Sequence, residues 1–202
     1  YYIIELIRSL ITRGILVREP DDIWHVTRTV TKLDLPENLQ RLLLARIDRL
    51  ATHERLVLQI ASVIGPVFWS NMLQELLGEA PTLKANLAAL QRNQFIQESG
   101  RVPELGMQYN FKSPLIRDTA YESLLSSQRI IYHKMVAEYL ENLMDADIVE
   151  GFDGMLAYHY GYAGDSRKEL FYTVLAAERA RAIYANAEAL QYYNRSMELL
   201  DK

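Results

Sequence analysis

The stretch TLKANLAALQRNQFIQESGRVPELGMQYNFKS (residues 82–113) changes its hydrophobic period from helical to strand-like. Behind Thr82, an expected helix N-cap, leucines recur at helical spacing from Leu83 to Leu90. FIQES and MQYNF then alternate like two short strands, and the loop that joins them holds Gly100 and Gly106. A helix that leads into two such strands is typical of the second half of a winged helix-turn-helix.

Two more helices are expected directly before this stretch. The first begins at about Glu54 and ends at Gly65 and Pro66, because this pair interrupts a helical pattern. The second is short and ends before Gly78. Three helices followed by two strands predict a winged-helix region, which spans residues 53–144 together with the helices that follow it.

The first 52 residues are expected to form a helix, a hairpin and a second helix. An apolar helical stripe runs over residues 3–14 and ends at Gly14. The segment ILVREPDDIWHVT (residues 15–27) alternates like a β-hairpin whose turn is Pro20-Asp21-Asp22. Pro36 is expected at the first helical position of the helix that follows.

The helix-to-strand junction near residue 15 resembles the one near residue 95. With an offset of about eighty residues, Leu10 corresponds to Leu90 and Ile15 to Phe95. A repeated unit would explain this likeness, and so would features that any helix-to-strand junction shares.

Ser113 and Pro114 predict the start of the next helix, as an N-cap serine followed by a proline at the first helical position. A second helix follows, and its expected inward positions begin with Ile130 and Ile131 and continue to Leu140.

The acidic, glycine-containing segment DADIVEGFDG (residues 145–154) indicates a boundary. Beyond it, Ser166 with Glu169 predicts a capping box at the start of a long helix, and another helix begins at about Asn186. Alanines interleaved with tyrosine and leucine are typical of paired helices in tetratricopeptide-type arrays. The predicted fold is mainly α: a winged helix-turn-helix with small β-hairpins, followed over residues 145–202 by antiparallel tetratricopeptide-like helical hairpins.

No catalytic constellation is visible in the sequence. It has no cysteine and no GxxxxGK[ST] phosphate-binding loop, and its four histidines are too dispersed for a zinc motif: His25, His53, His133 and His159. We therefore expect neither an enzyme nor a metal or cofactor site.

No apolar run is long enough to cross a membrane, and the absence of cysteine suits a cytoplasmic protein. The chain opens with Tyr1-Tyr2 in a helical pattern without a leader, so we expect a piece of a longer protein.

The predicted winged helix carries little positive charge. Its recognition helix has only Lys84 and Arg92 as cations, and residues 53–126 hold six Lys or Arg against seven Asp or Glu. Neutralisation of phosphates supplies most of the affinity of proteins for DNA. This balance therefore argues against a nucleic-acid partner.

Several longer strings resemble one class of signalling protein. YYIIELIRSLITRGILV, LPENLQRLLLARIDRLATHERLVLQIASVIGPVF and YNFKSPLIRDTAYESLL resemble the signal-transduction NTPases with numerous domains, the STAND class. Within that class they are most similar to the AAA-like ATPase modules found beside class III adenylyl cyclase domains and in large bacterial transcriptional activators. LAYHYGYAGDSRKELFYTVLAAERARAIYANAEALQYYNRSMELL is similar to the first tetratricopeptide-like helices of the same proteins.

The resemblance implies a place for this chain within a larger layout. In such proteins a P-loop ATPase core precedes a helical lid, a winged helix and a tetratricopeptide sensor array. Residues 1–52 would then be a lid remnant with a β-hairpin and a linker helix, and ATP or ADP would bind in the parent protein, outside this chain. Relatives often carry a histidine after the Phe-Lys pair, where it can contact the nucleotide's phosphate. Here Ser113 follows Lys112, so these two residues are nucleotide-sensing candidates without a titratable ring.

The expected function is non-catalytic regulation: the chain would couple the nucleotide state of an upstream ATPase core to a cyclase or transcriptional effector. Two alternatives remain, a DNA-binding winged-helix regulator and a protein-interaction scaffold with no nucleotide link. The expected partners are the upstream core, the downstream helical repeats and the effector. Five residues near the C-terminal end are expected to form a partner surface: Tyr184, Tyr192, Tyr193, Met197 and Leu200.

Overall fold

The chain is mainly α-helical with two small antiparallel sheets, which confirms the predicted fold class at that level. A computed structural model describes residues 7, 10–11, 14–18, 23–27, 37–78, 82–146, 148 and 151–201. The helices in this part of the chain are α1 (Glu37–Asp48), α2 (Thr52–Ile64), α3 (Ser70–Leu77), α4 (Leu83–Arg92), α5 (Pro114–Glu122), α6 (Ser126–Asp145), α7 (Asp153–Ala163), α8 (Ser166–Ala182) and α9 (Asn186–Leu200). The strands are β1 (Leu16–Arg18), β2 (Trp24–Val26), β3 (Val67–Trp69), β4 (Ile96–Val102) and β5 (Gly106–Phe111).

The first sheet is the predicted hairpin. Strand β1 pairs with β2 in antiparallel register, with Leu16 opposite Val26. The predicted turn at Pro20-Asp21-Asp22, most of the predicted helix over residues 3–14, and Pro36 lie outside the described residues.

The second sheet has three strands in the order β3-β5-β4, all antiparallel. Strand β3 is missing from the sequence prediction, because three residues after Gly65 and Pro66 are too few to show a period of two. The predicted loop is also too long, since β4 continues through Gly100 to Val102. A register shift between Glu98 and Gly100 lets the strand continue past that glycine. We call residues 52–111 the three-stranded unit.

The three-stranded unit shares one hydrophobic core with residues 114–200, which we call the helical region. Phe68 of β3 stacks on Tyr109 of β5 with ring centroids 5.7 Å apart. The same cluster of buried side chains continues through Leu140 of α6 to Leu156 and Tyr160 of α7. Because buried apolar surface is the main stabilising term in folding, this shared core couples the two parts energetically.

The helix starts agree with the sequence prediction at one cap and differ at two. Ser113 Oγ accepts a hydrogen bond from a first-turn N–H of α5, as predicted. Thr82 holds the N-cap position of α4, but its side chain makes no capping hydrogen bond. At α8 the cap is Asp165, whose Oδ1 accepts from the N–H of Lys168 at 3.0 Å. The predicted capping box at Ser166 is therefore wrong, because the carboxylate one residue earlier takes the capping role.

The buried face of α6 also differs from the prediction. Ile130 and Ile131 were expected inward on hydrophobicity, yet they are 49% and 57% exposed. The buried positions recur at spacings of three and four residues: His133, Val136, Ala137 and Leu140. A histidine takes a position that hydrophobicity assigns to an apolar residue, and this rotates the buried face away from the two isoleucines.

The two similar helix-to-strand junctions have the same backbone hydrogen bonds. In each, two N–H groups after the last turn donate back to carbonyls of that turn at 2.9–3.0 Å: Gly14 to Ile11, Ile15 to Leu10, Gln94 to Gln91 and Phe95 to Leu90. This Schellman arrangement needs a left-handed residue, and Gly14 and Gln94 have φ of 65° and 59°. Helices α7 and α8 end with the same pair of bonds, so the likeness reflects a capping geometry that this chain uses repeatedly.

Candidate functional site

Helices α5, α6 and α7 meet at two buried histidines. His133 of α6 and His159 of α7 have no exposed surface, and their Nδ1 atoms lie 2.8 Å apart. The hydroxyl of Tyr121, on α5, lies 3.0 Å from Nε2 of His133. A chain of hydrogen bonds therefore links one side chain from each of the three helices.

The hydrogen-bond partners favour one arrangement of protons. When Tyr121 donates to Nε2 of His133, the proton of that ring is on Nδ1 and is donated to Nδ1 of His159. His159 then carries its own proton on Nε2. The carbonyl of Ile64 hydrogen-bonds to the same ring and favours its protonated form, and among the described residues Nε2 meets no partner at standard hydrogen-bond geometry.

Both imidazoles are neutral at physiological pH. Burial, with a further contribution from the positive charges of Arg117 and Arg129, lowers the pKa of His133 from 6.5 to about 4. Burial, together with the neighbouring His133, lowers the pKa of His159 from 6.5 to about 3. The pair therefore serves as a hydrogen-bonded spacer between helices at neutral pH.

Other side chains connect this junction to the three-stranded unit. Within the helical region, Tyr162 of α7 adds to the junction by stacking on His133 with ring centroids 4.8 Å apart; two other contacts reach the three-stranded unit. Arg117 of α5 donates from Nε to the carbonyl of Ser62 in α2 at 3.2 Å. Just before α7, Phe152 meets Trp69 of β3 edge-on with ring centroids 5.9 Å apart. The helical region is thus attached to the three-stranded unit at several separate points.

A carboxylate joins α6, α7 and α8 at a second point. Glu141 accepts hydrogen bonds from Lys168 Nζ at 2.7 Å, from the Tyr160 hydroxyl at 2.5 Å and from the Tyr172 hydroxyl at 2.7 Å. Burial alone would raise the pKa of Glu141, but the hydrogen bonds from Lys168 and the two tyrosines outweigh it, and the pKa lies below its ordinary value. Burial and the bond to Glu141 raise the pKa of both tyrosines.

The last three helices are joined by ion pairs between successive neighbours. Glu169 of α8 is buried and accepts from Arg195 of α9 at 2.6 Å. Asp153 of α7, which is only 3% exposed, accepts from Arg179 of α8 at 2.5 Å. Glu169 also lies against Gly161 of α7, where an added Cβ would come within 2.9 Å of its Cδ. These contacts fix the spacing of α7, α8 and α9.

These clusters join neighbouring helices through hydrogen bonds and ion pairs. The described ranges contain no group of three His, Cys, Asp or Glu side chains that could hold a metal ion. The hydroxyl that hydrogen-bonds to the histidine pair in these ranges is that of Tyr121. Of the helices in these same ranges, none combines the length and apolar character needed to cross a bilayer.

The two nucleotide-sensing candidates lie directly after β5. Lys112 is exposed, and its Nζ donates to Oε1 of Gln97 on the neighbouring strand at 2.7 Å. Ser113 caps α5 and has a half-buried side chain. Both residues are thus held by contacts within the chain, at the point where the three-stranded unit leads into the helical region.

The five predicted partner-surface residues divide into two groups. Tyr184, Met197 and Leu200 are 87%, 65% and 70% exposed. Tyr192 and Tyr193 are half-buried: Tyr192 lies against Gly154 of α7, and Tyr193 donates to Oε1 of Glu178 at 2.6 Å. An open apolar face on α9 therefore contains Met197 and Leu200 but only part of the two tyrosines, and Tyr184 is exposed in the turn before α9.

The histidine pair and the Glu141 cluster are absent from the sequence prediction. A signal for His133 is present, since it precedes the buried Val136 and Ala137 at helical spacing. Glu141 gives no such signal, because it directly follows the buried Leu140 and resembles any surface carboxylate. The side chains that contact His133 and Glu141 come from other helices, which are distant in the sequence.

Comparison of the chain with protein-family models, with curated proteins and with solved structures gives no match. A functional proposal therefore depends on the geometry described above and on the motifs of the sequence.

Proposed function

We propose that this chain is a non-catalytic regulatory connector in a multidomain signalling ATPase. Residues 52–111 would serve as a winged helix and residues 153–200 as the first hairpins of a tetratricopeptide-like array. The chain would transmit the nucleotide state of an upstream core to an effector by moving as one body.

The order of elements in the three-stranded unit supports the winged-helix part of the proposal. Helix α2 leads through strand β3 to α3 and α4, and the hairpin of β4 and β5 follows. Strand β3 adds to the open edge of β5. This is the order expected of a winged helix, and its third helix would be α4. Because α4 exposes only Lys84 and Arg92 as cations, packing against protein is favoured over reading DNA.

The observation that carries the connector role is the shared attachment at α7. This helix bonds to α6 through His159 and to α8 through Asp153, while Phe152 before it contacts Trp69 of β3. A displacement of the three-stranded unit would therefore have to move α7 and, with it, α8 and α9. Packed interiors transmit such displacements because they have low compressibility.

The exposed outer face of α9 supports the proposal that a partner covers this helix. Leu190, Met197 and Leu200 are 62%, 65% and 70% exposed, and their spacing places them close to one face of the helix. In helical arrays each hairpin buries such a face against the next repeat. Lengthening the chain by one natural repeat should raise its melting temperature and reduce self-association. An unchanged melting temperature, with a strictly monomeric 202-residue chain in sedimentation, would oppose the array.

Hydrogen exchange on the complete natural protein tests the coupling directly. We expect ATP to change the protection of backbone amides around Lys112 and Ser113 and in α7. Isolated, the 202-residue chain should show no micromolar ATP affinity in calorimetry. Identical exchange with and without ATP over residues 52–200, or an upstream reading frame without GxxxxGK[ST], would overturn the proposal.

Nanomolar, sequence-selective DNA binding at physiological salt would favour the DNA-binding alternative.

Ser113 can be tested for sensing and capping separately. Ser113→Asn keeps an N-cap residue but replaces the hydroxyl, whereas Ser113→Ala removes the cap at a cost of about 1 kcal/mol. If the hydroxyl senses nucleotide, both variants should weaken the ATP-dependent change in exchange. If the serine is only a cap, Ser113→Asn should respond like the natural protein.

A further inference from the structure

A cavity of about 520 Å³ lies where α7, α8 and α9 meet. This size falls within the range of roughly 300–1,000 Å³ that is typical of small-molecule sites. Three tyrosines line it, Tyr158, Tyr162 and Tyr192, and its charged lining residues within the described part of the chain are Glu169 and Arg195. The cavity therefore places aromatic surface beside one carboxylate.

One oxygen of the Glu169 carboxylate accepts no hydrogen bond from the described residues. Both of its hydrogen bonds go to Oε1, to which Arg195 donates from Nε at 3.0 Å and from Nη2 at 2.6 Å. Among the described side chains, the buried polar atoms without a hydrogen-bond partner are Nε1 of Trp69 and Nε2 of His159. Oε2 is not one of them, so it retains accessible surface on a residue that lines the cavity and is otherwise 92% buried, since Glu169 is 8% exposed. An acceptor oxygen in such a place indicates a ligand that donates a hydrogen bond.

The charged groups at this point carry one net negative charge. Arg195 directs Nε and Nη2 at Glu169 and Nη1 at Glu198, so that one guanidinium faces two carboxylates. Arg117, whose positive charge acts on Tyr158, is not among the residues that line the cavity. Charge complementarity therefore favours a cation over an anion in the cavity.

The tyrosines supply a surface that suits an organic cation. Tyr158 and Tyr162 of α7 lie side by side with ring centroids 4.7 Å apart, and they are 42% and 53% exposed. Tyr192 of α9 is half-buried and lies against Gly154. Tyrosine rings attract cations that lie within about 6 Å of the ring centroid, and they also provide apolar contact area.

We propose that this cavity binds a small organic ammonium ion with an apolar body. An N–H of the ammonium group would donate to Oε2 of Glu169, and the apolar body would lie against Tyr158, Tyr162 and Tyr192. The volume of the cavity and its single available carboxylate oxygen suit a free amine. The site stands independently of the connector role proposed above, because it depends only on groups within this chain.

Calorimetry with two probes of nearly equal size tests the recognition of charge. Benzylamine is protonated at neutral pH, whereas benzyl alcohol is neutral. We expect benzylamine to bind saturably. Benzyl alcohol should bind at least about ten-fold more weakly, because a hydrogen bond between two charged groups is stronger than one from a neutral hydroxyl.

A matched pair of carboxylate variants tests the position of the site. Glu169→Gln should weaken benzylamine binding at least about ten-fold, because it removes the charge that the ammonium group contacts. Glu198→Gln should not, although it removes the same charge and Glu198 also binds Arg195, at 3.0 Å. If Glu169→Gln is unfolded by circular dichroism, Tyr162→Leu provides the test. It should weaken binding about three-fold, whereas Tyr184→Leu, at an 87% exposed tyrosine that does not line the cavity, should not.

Three results would overturn the proposal. The first is the absence of saturable benzylamine binding. The second is equal binding of benzylamine and benzyl alcohol, which would mean that the cavity does not recognise the cation. The third is an equal loss in Glu169→Gln and Glu198→Gln, or, if the former is unfolded, equal affinities of Tyr162→Leu and Tyr184→Leu.

Discussion

Replacing Glu141 with glutamine should destabilise the chain by about 2–3 kcal/mol. Glu141 holds α6 against α7 and α8 through bonds from Lys168, Tyr160 and Tyr172, and its side chain is 19% exposed. The amide of Glu141→Gln has one acceptor oxygen and no charge, and its NH₂ group would face other donors. Hydrogen bonds to charged groups contribute about 1.5–3 kcal/mol each, and breaking a fully buried ion pair costs about 3–5 kcal/mol. The partial exposure of Lys168, 42%, places the expected loss below that range.

Thermal and urea unfolding measure this loss. At about 2–4 °C per kcal/mol for a chain of this size, the melting temperature should fall by about 4–12 °C. Glu138→Gln is the matched control: Glu138 lies one turn earlier on α6 and only approaches the exposed Lys134, at 3.7 Å. That variant should change stability by less than about 0.5 kcal/mol.

The pH dependence of the Glu141→Gln loss provides a second check. The pKa of Glu141 is lowered in the folded chain, so its contribution is complete above the ordinary pKa of 4.5 and is lost as the pH falls through the lower folded value. The stability difference between the natural chain and Glu141→Gln should therefore shrink in acid. Equal losses in Glu138→Gln and Glu141→Gln, or a difference that grows in acid, would refute this reasoning.

Three further changes test other parts of the structure. Folding lowers the pKa of His133 from 6.5 to about 4 and that of His159 from 6.5 to about 3. Below pH 6.5 the unfolded chain therefore binds more protons than the folded chain, so the free energy of unfolding should fall as the pH drops from 6.5 toward 4. Replacing both histidines with glutamine should remove most of that fall in urea titrations. Gly106→Ala should cost about 1–3 kcal/mol more than Gly164→Ala, since both glycines have φ near 80° but only at Gly106 would the new Cβ meet other side chains. Gln94→Gly should stabilise the chain by about 0.5–1 kcal/mol in thermal melts, because it relieves a left-handed φ of 59°.

Each of these changes has an outcome that would contradict it. For the histidines, the exposed His53 serves as the control, and an equal effect of His53→Gln would mean that the buried pair is not the source. For the glycines, equal losses would mean that contact with Ser70 and Asn71 is unimportant. For the left-handed cap, a loss of stability in Gln94→Gly would show that its side chain contributes more than the backbone strain costs.

Local signals in the sequence predict most of the helices and strands. The Ser113 cap and the end of α2 at Gly65 follow from residue chemistry alone, because a capping hydroxyl and a helix-breaking pair act over a few residues. The position of β3 does not follow, since it depends on pairing with β5, some forty residues later. The cap of α8 is Asp165 and not Ser166, because an aspartate and a serine are nearly equal caps and local geometry decides between them.

The clusters of the site are less predictable than the fold. His133 and His159 are 26 residues apart in sequence and meet only because α6 and α7 pack side by side. Hydrophobic periodicity also assigns the face of α6 wrongly, since His133 is buried and Ile130 is not. Long-range packing therefore sets the histidine pair and the Glu141 cluster.

A distance between two spin labels tests most directly whether the chain moves as one body. The sequence has no cysteine, so Arg101→Cys on β4 and Gln191→Cys on α9, both at exposed positions, would give one label in the three-stranded unit and one in the helical region. The connector account predicts one narrow distribution of distances between the labels, unchanged when ATP is added to the complete protein. A broad or double distribution, or one that ATP shifts, would mean that the two parts move independently, and it would contradict the account.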